Sequence, residues 1–258
     1  MRETEKIRQQ IRNGTITGPT AGIAPGYTQA NLVVLPQKYA FDFLLFCLRN
    51  SKACPILDVC EQGEINPARL STNADIRTDI PKYRIYKEGI LVEEVTNCSQ
   101  YWRSDLVSFL IGCSFSFEDA LIKAGIPIRH IDENKNVPMY ITNIECKKAG
   151  IFSGPMVVSM RPIPENLVEK AIEITSLFPN VHGAPIMVGN AEELGIKNIH
   201  LPDFGQAVTI KEGEIPVFWA CGVTPQAAVM RAKPDLAITH SPGHMFITDI
   251  MEEDLKIK

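Results

Sequence analysis

A chain of 258 residues is long enough for one large domain or two modest ones. Its composition, 45% hydrophobic and 22% charged, is ordinary for a globular protein and argues against disorder. A formal net charge of −4 argues against the basic face of a nucleic-acid binder and against a polybasic membrane anchor.

No apolar run approaches the roughly 18 residues of a membrane span, and the charged start Met1–Gln10 lacks the apolar centre of a signal peptide. The seven cysteines (47, 54, 60, 98, 113, 146 and 221) form no C-x-x-C pair. Their odd number does not suit a disulfide framework, so reduced, mostly buried thiols in a cytoplasmic protein are expected.

In chain order, 3–13 reads as an amphipathic helix, with Ile7 and Ile11 four apart and Gly14 as the stop. Thr20–Asn31 holds two glycines and a proline and reads as a loop. A buried helix is expected over 38–49 and a short core strand over 55–60. Residues 82–95 alternate around Lys87-Glu88-Gly89, a hairpin signal. Residues 100–111 are ambiguous: Val107–Ile111 suits a buried strand, but the spacing of Trp102, Leu106, Phe109 and Leu110 favours a helix, and a second helix is expected near 117–124. Further on come a strand over 154–160, a helix over 164–177 opened by Pro164, and a strand over 182–189. The chain then runs strand (216–220), helix (226–232), strand (236–239), strand (245–249), the wiring of an α/β unit with a crossover helix. These changes of pattern predict a discontinuous main domain, 1–130 and 206–258, interrupted by a smaller α+β domain over 131–205.

Four segments carry groups suited to chemistry. In Gly112–Asp119, Ser116 precedes Asp119 by three, like a capping box. The free amides there, with the hydroxyls of Ser114 and Ser116, suit a carboxylate, and Cys113 sits where a helix start would lower a thiol's pKa. In Trp219–Gln226, Thr224 reads as an N-cap with Pro225 at the first helical position, and Cys221 stands beside it. In Thr239–His244, Pro242 and Gly243 forbid the helix of an H-E-x-x-H zinc site. His240 and His244 therefore read as proton carriers and not as metal ligands. In Asp75–Arg84, Arg77 suits a substrate carboxylate, and Asp79 lies two residues away on the same face if the segment is extended. Each also has a plain structural reading: a capped helix, a well-made crossover, solvated loop histidines, a surface ion pair. Arg161 and His182 are weaker hints of the same kind. Walker, dinucleotide-binding and G-x-S-x-G motifs are absent from the sequence, and no cofactor is expected.

The strings APGYTQANLVVLP, DIRTDIPKYRIYKEG, SFLIGCSFSFEDAL, GPMVVSMRPIP, HGAPI, PVFWACGVTPQA and ITHSPGHMF together resemble the D-glutamate cyclase and hydro-lyase family over about residues 10–250. The resemblance implies an α/β fold with a three-layer main part and a smaller two-layer part. It also implies cyclisation of D-glutamate to 5-oxo-D-proline with loss of water, and the reverse. Where the family pattern reads HGAPIHIGD, this chain has HGAPIMVGN at 182–190, which weakens any role for that strand end. On this reading Arg77 holds the α-carboxylate, and Ser114, Ser116 and Thr224 hold the γ-carboxylate. His240 or His244 moves protons and Asp79 orients them. Two other classes fit some of the same residues: a cofactor-free amino-acid racemase using Cys113 and Cys221, and a non-catalytic binder of a small dicarboxylate or lactam. The expected partner is a small molecule, with neither nucleic acid nor membrane, and the oligomeric state stays open.

Overall fold

Two antiparallel sheets carry the molecule in the computed structural model, which describes residues 2–257. The first half of the chain supplies α1 (Glu3–Arg12), β1 (Tyr27–Pro36), α2 (Gln37–Arg49), β2 (Ile56–Cys60), β3 (Tyr83–Lys87), β4 (Ile90–Val95), β5 (Leu106–Gly112), α3 (Glu118–Lys123) and α4 (Arg129–Asp132). The second half supplies β6 (Met139–Glu145), β7 (Pro155–Pro164), α5 (Val168–Ser176), β8 (Met187–Val188), β9 (Glu214–Ala220), α6 (Val223–Ala232), β10 (Ala237–His240) and β11 (Phe246–Met251). The chain thus has a mixed α/β fold.

The first sheet runs β2-β5-β1-β10-β3-β4, and the second runs β6-β7-β9-β8. On one edge of β1, β10 pairs with Val33 and Val34, and β11 takes over along Tyr27–Ala30. The ladder is interrupted between them, around Asn31 and Leu32, because residues 241–245 loop away. Aromatic packing marks the core on one side of this sheet: Phe43 of α2 lies edge-on to Phe109 of β5 at 4.8 Å and to Phe152 at 5.1 Å. The opposite side buries Leu32, Val34, Ile85 and Ile238 against Ile76, Ile80 and Cys98 of irregular segments. Helices α3 and α5 cover one side of the second sheet, around Val217 and Trp219.

Several sequence expectations need correction. Residues 106–112 form a strand, not a helix. The strand is buried along its whole length between β2 and β1, so it shows no alternation, and the helical spacing of its large residues is coincidental. Residues 27–31 belong to β1 and not to a loop. Their polar side chains are consumed internally: the Gln29 amide donates to the carbonyls of Thr20 (3.0 Å) and Ile23 (3.1 Å), and Asn31 donates to Gly112 (2.7 Å). Only Met187 and Val188 of the stretch 182–189 are strand, because a 3-10 turn at 179–181 redirects the chain. The boundary at 205 also falls short, since β9 pairs with β7 from Val158↔Ala220 to Pro164↔Glu214. Helix α6 therefore connects the two sheets and does not cross over within one.

All seven cysteines are free and buried. Burial pushes Cys60 and Cys98 up to about 12 and Cys146 up to about 11. Thiolate is the reacting form, so the folded protein should label slowly with a chromogenic thiol reagent. Unfolding it without reductant should release seven thiols; a titre of five or fewer would mean disulfides form in the isolated protein.

Candidate functional site

The break in the ladder of β1 leaves the Leu32 amide without a strand partner, and His240 fills the gap. Its Nδ1 accepts from the Leu32 N–H at 3.0 Å, which assigns the ring proton to Nε2. The Gln226 side-chain nitrogen lies 2.9 Å from Nδ1 and 3.1 Å from Nε2, and it donates to the His240 carbonyl at 3.1 Å. His240 is the last residue of β10 and is 1% exposed, so it is no loop histidine. Burial lowers its pKa to about 3, and it is neutral at any physiological pH.

Next to this imidazole is an internal cavity of about 20 Å³. It has room for one or two waters at about 10–15 Å³ each. Its polar lining comes from Asn31, Cys113, Ser114, Cys221 and His240. Phe115, Met139, Val223 and Met245 close it. The position is the seam between the sheets: Asn31, Cys113 and His240 lie on or just past strands of the first, and Cys221 directly follows β9 of the second. Gly222 is required here, since a Cβ would fall 2.0 Å from the Asn31 amide nitrogen.

The two thiols behave opposite to expectation. Burial raises Cys113 far above the ordinary thiol range and Cys221 to about 11. Cys113 caps the 3-10 turn at 114–117, its sulfur accepting from the Phe115 amide at 3.5 Å, but desolvation outweighs that bond. Ser114 touches a charged network. Its hydroxyl accepts from Arg161 at 3.1 Å, and Arg161 also donates to Ser159 (3.1 Å) and to Glu118 Oε1 (2.9 Å). The guanidinium lies between Phe117 and Trp219, 5.3 Å and 5.5 Å from their ring centres. His130 Nε2 approaches the same Glu118 oxygen at 3.2 Å. Burial alone would raise Glu118, but His130 and Arg161 outweigh it and hold the carboxyl below its usual range.

The remaining expected site residues are used elsewhere. Ser116 does not cap a helix: its Oγ accepts from the Gln29 amide (2.9 Å) and donates to the Gln29 carbonyl (3.3 Å). Thr224 likewise grips Val157, accepting from its N–H at 2.9 Å and donating to its carbonyl at 3.2 Å. Gly222, not Thr224, occupies the N-cap position of α6. Both hydroxyls fasten main chain and are not free for a ligand. Residues 75–80 turn and do not extend. Arg77 pairs with Asp75 (2.7 Å), and Asp79 takes Arg12 (2.7 Å), the Asp75 amide (2.9 Å) and Thr78 (3.0 Å). Neither lines the cavity, and no imidazole is among their partners. His244 faces a separate open groove of about 450 Å³ with Lys82, Arg84 and Glu94. Sequence reading missed Asn31, Gln226, Glu118 and His130. The detectable signal was Arg161, a charge inside the apolar run Met156–Ile163.

Burial also depresses His182, to about 4. In the unfolded chain both histidines titrate near 6.5. Their contribution to stability is complete above that pH and is lost as the pH falls toward 4 and 3, at about 1.4 kcal/mol per pH unit for each group. Urea unfolding should therefore show wild type losing stability relative to His182→Gln between pH 6.5 and 4.5. Parallel pH profiles would contradict the burial of the neutral ring.

The fold and cavity define an α/β protein whose separated motifs meet at the seam of two antiparallel sheets. The chain belongs to the D-glutamate cyclase family, whose model matches residues 107–249. Proteins named "Putative hydro-lyase" resemble it nearly end to end. One from Bacillus velezensis is 64% identical over 98% of this chain and 96% of its own. One from Thermoanaerobacter sp. (strain X514) is 63% identical over 97% and 94%, and one from Bacillus subtilis is 61% identical over 97% and 98%. A nitrogen repressor-like protein from Methanococcus jannaschii, of known crystal structure, aligns at 9% identity over 95% of this chain and 98% of its own. The TM-score of that alignment is 0.40. Among the described residues, no helix is long and apolar enough to cross a membrane.

Proposed function

We propose that this chain is a hydro-lyase that closes D-glutamate to 5-oxo-D-proline and water, and runs the reverse reaction, in the cavity at the sheet seam. The observation that supports this most is the meeting of four separated motifs, at 27–31, 112–116, 219–224 and 239–245, around one small, largely apolar space edged by a few polar groups. Cyclisation forms one C–N bond and breaks one C–O bond of the γ-carboxyl. The departing oxygen leaves as water with two protons from the ammonium.

The roles follow from the environments. The Ser114 hydroxyl accepts from the Arg161 guanidinium, which leaves its proton directed at a substrate oxygen and strengthens it as a donor. His240, neutral with its proton on Nε2, polarises the same carboxyl. The two thiols carry the two protons: the arriving ammonium favours thiolate at Cys113 and Cys221, each thiol's own proton passes to the γ-carboxyl oxygen that departs as water, and each thiolate takes one of the two protons that the nitrogen loses, the first before the C–N bond forms. A cavity of about 20 Å³ must widen to admit a five-carbon substrate.

One observation favours a second reading. Both cysteines line the same cavity, as a racemase with one thiol on each face of the α-carbon requires. Incubating the purified protein with D-glutamate separates the two by product. 5-Oxo-D-proline supports the cyclase, L-glutamate supports the racemase, and unchanged substrate after prolonged incubation rejects both.

A further inference from the structure

A second cavity, of about 260 Å³, shares Phe115 with the first and lies among the loop at 22–27, α3 and the turn that begins at Glu252. Much of its wall is apolar, from Ile23, Pro25, Ile122 and Ile131. Two buried acceptors of its lining are left without a partner, and His130 Nε2, which is not part of the lining, lies 3.2 Å from Glu118 Oε1. Gln29 is 3% exposed; its amide nitrogen is used by two carbonyls, and its Oε1 has no partner. Glu118 is 2% exposed; Oε1 accepts from Arg161 and lies 3.2 Å from His130 Nε2, while Oε2 has no partner. Glu252 adds a buried carboxyl, and Asp119 adds another that is paired with the exposed Lys123 at 2.6 Å.

We propose that this cavity binds a small aliphatic ammonium ion, with its N–H groups donating to Glu118 Oε2 and Gln29 Oε1 and its alkyl chain against the isoleucines. Acceptors without donors call for a ligand rich in N–H. Arg161 already pairs with Glu118 and Lys123 with Asp119, so the call for a positive charge comes from Glu252, and no cationic side chain lines the cavity. A dicarboxylate is disfavoured for the same reason, which separates this site from the one at the sheet seam. The apolar walls suit an alkyl chain better than a hydrated metal. Among the described residues, no three histidine, cysteine or acidic side chains gather closely enough to hold a metal ion.

Glu252 supplies an independent readout. Burial, with Asp119, Glu118 and Glu253 nearby and only Lys123 opposing them, raises its carboxyl to about 8. A bound ammonium favours the carboxylate, so binding near pH 8 releases a proton.

The test is calorimetric titration of the full-length protein with n-butylammonium chloride at pH 8, in two buffers of different ionisation enthalpy. n-Butanol and potassium chloride serve as controls. Saturable one-to-one binding is expected, with heat that depends on the buffer, butanol at least about tenfold weaker, and no displacement by potassium at equal ionic strength. Glu252→Gln should remove the buffer dependence and weaken binding about tenfold. Thermal melts confirm that the variant is folded. Butanol binding as well as butylammonium, displacement by potassium, or a Glu252→Gln variant that matches wild type would each overturn the proposal.

Discussion

Cys113→Ala and Cys221→Ala should each lower 5-oxoproline formation from D-glutamate by about 10²- to 10⁴-fold, the usual weight of a positioned proton donor or acceptor. Both thiols are small, buried, and set against one cavity, so on the proposed mechanism each change removes a proton carrier and little volume. Stability should move only within the ordinary range of point changes, about 0.5–3 kcal/mol. Turnover followed by chromatography of the product, beside a urea midpoint for each variant, separates the two effects. The single variants also discriminate between readings. If the thiols work only as a racemase pair, L-glutamate formation falls and no lactam appears with any variant. Wild-type rates of lactam formation in both variants would remove the seam cavity from the chemistry altogether.

Arg161→Met should cost about 3–5 kcal/mol of stability, because it leaves Glu118 charged and buried beside an apolar side chain. At about 2–4 °C per kcal/mol for a chain approaching this size, the melting temperature falls by about 10 °C. Adding Glu118→Leu should recover much of that loss, since removing both charges also removes the desolvation penalty. Differential scanning calorimetry of the wild type, both single variants and the double variant gives the coupling directly. Additive losses would mean that the two groups do not act as one unit. The double variant should still turn over poorly, because Ser114 loses the guanidinium that directs its hydroxyl.

Legibility in the sequence followed burial. The helix at 3–12 could be read from spacing, and so could the hairpin at 83–95, whose Glu88 and Gly89 both adopt positive φ; the helix at 37–49, expected as buried, leaves Phe41 and Leu48 exposed. Strands 27–36 and 106–112 could not. They lie in the interior of the first sheet with both faces covered, so the alternation that marks a half-buried strand never appears. Local cap signals misled for a related reason. Ser116 and Thr224 have the sequence neighbours of helix caps, but their hydroxyls reach across to Gln29 and Val157, partners 87 and 67 residues away. Cys113, Ser114, Cys221 and His240 could be chosen as candidates because their segments combine small residues with reactive ones. Arg77 and Asp79 lie away from the seam cavity, paired with Asp75 and Arg12, and ion pairing across the chain leaves no mark in local spacing.

The seam cavity has a kinetic and thermodynamic corollary. Its two thiols hang from different sheets, so on the proposed function a shift of one sheet against the other would admit the substrate, and the receptive geometry would be a minor conformer. Observed affinity then equals intrinsic affinity scaled by the occupancy of that conformer: at about 1% occupancy, the measured dissociation constant is about 100-fold weaker. A substitution that loosens the seam without touching any reacting group, such as Met245→Ala at the cavity wall, would tighten apparent substrate binding while reducing resistance to heat. Catalytic appetite and thermal robustness in this molecule are thereby set against each other at the same few side chains.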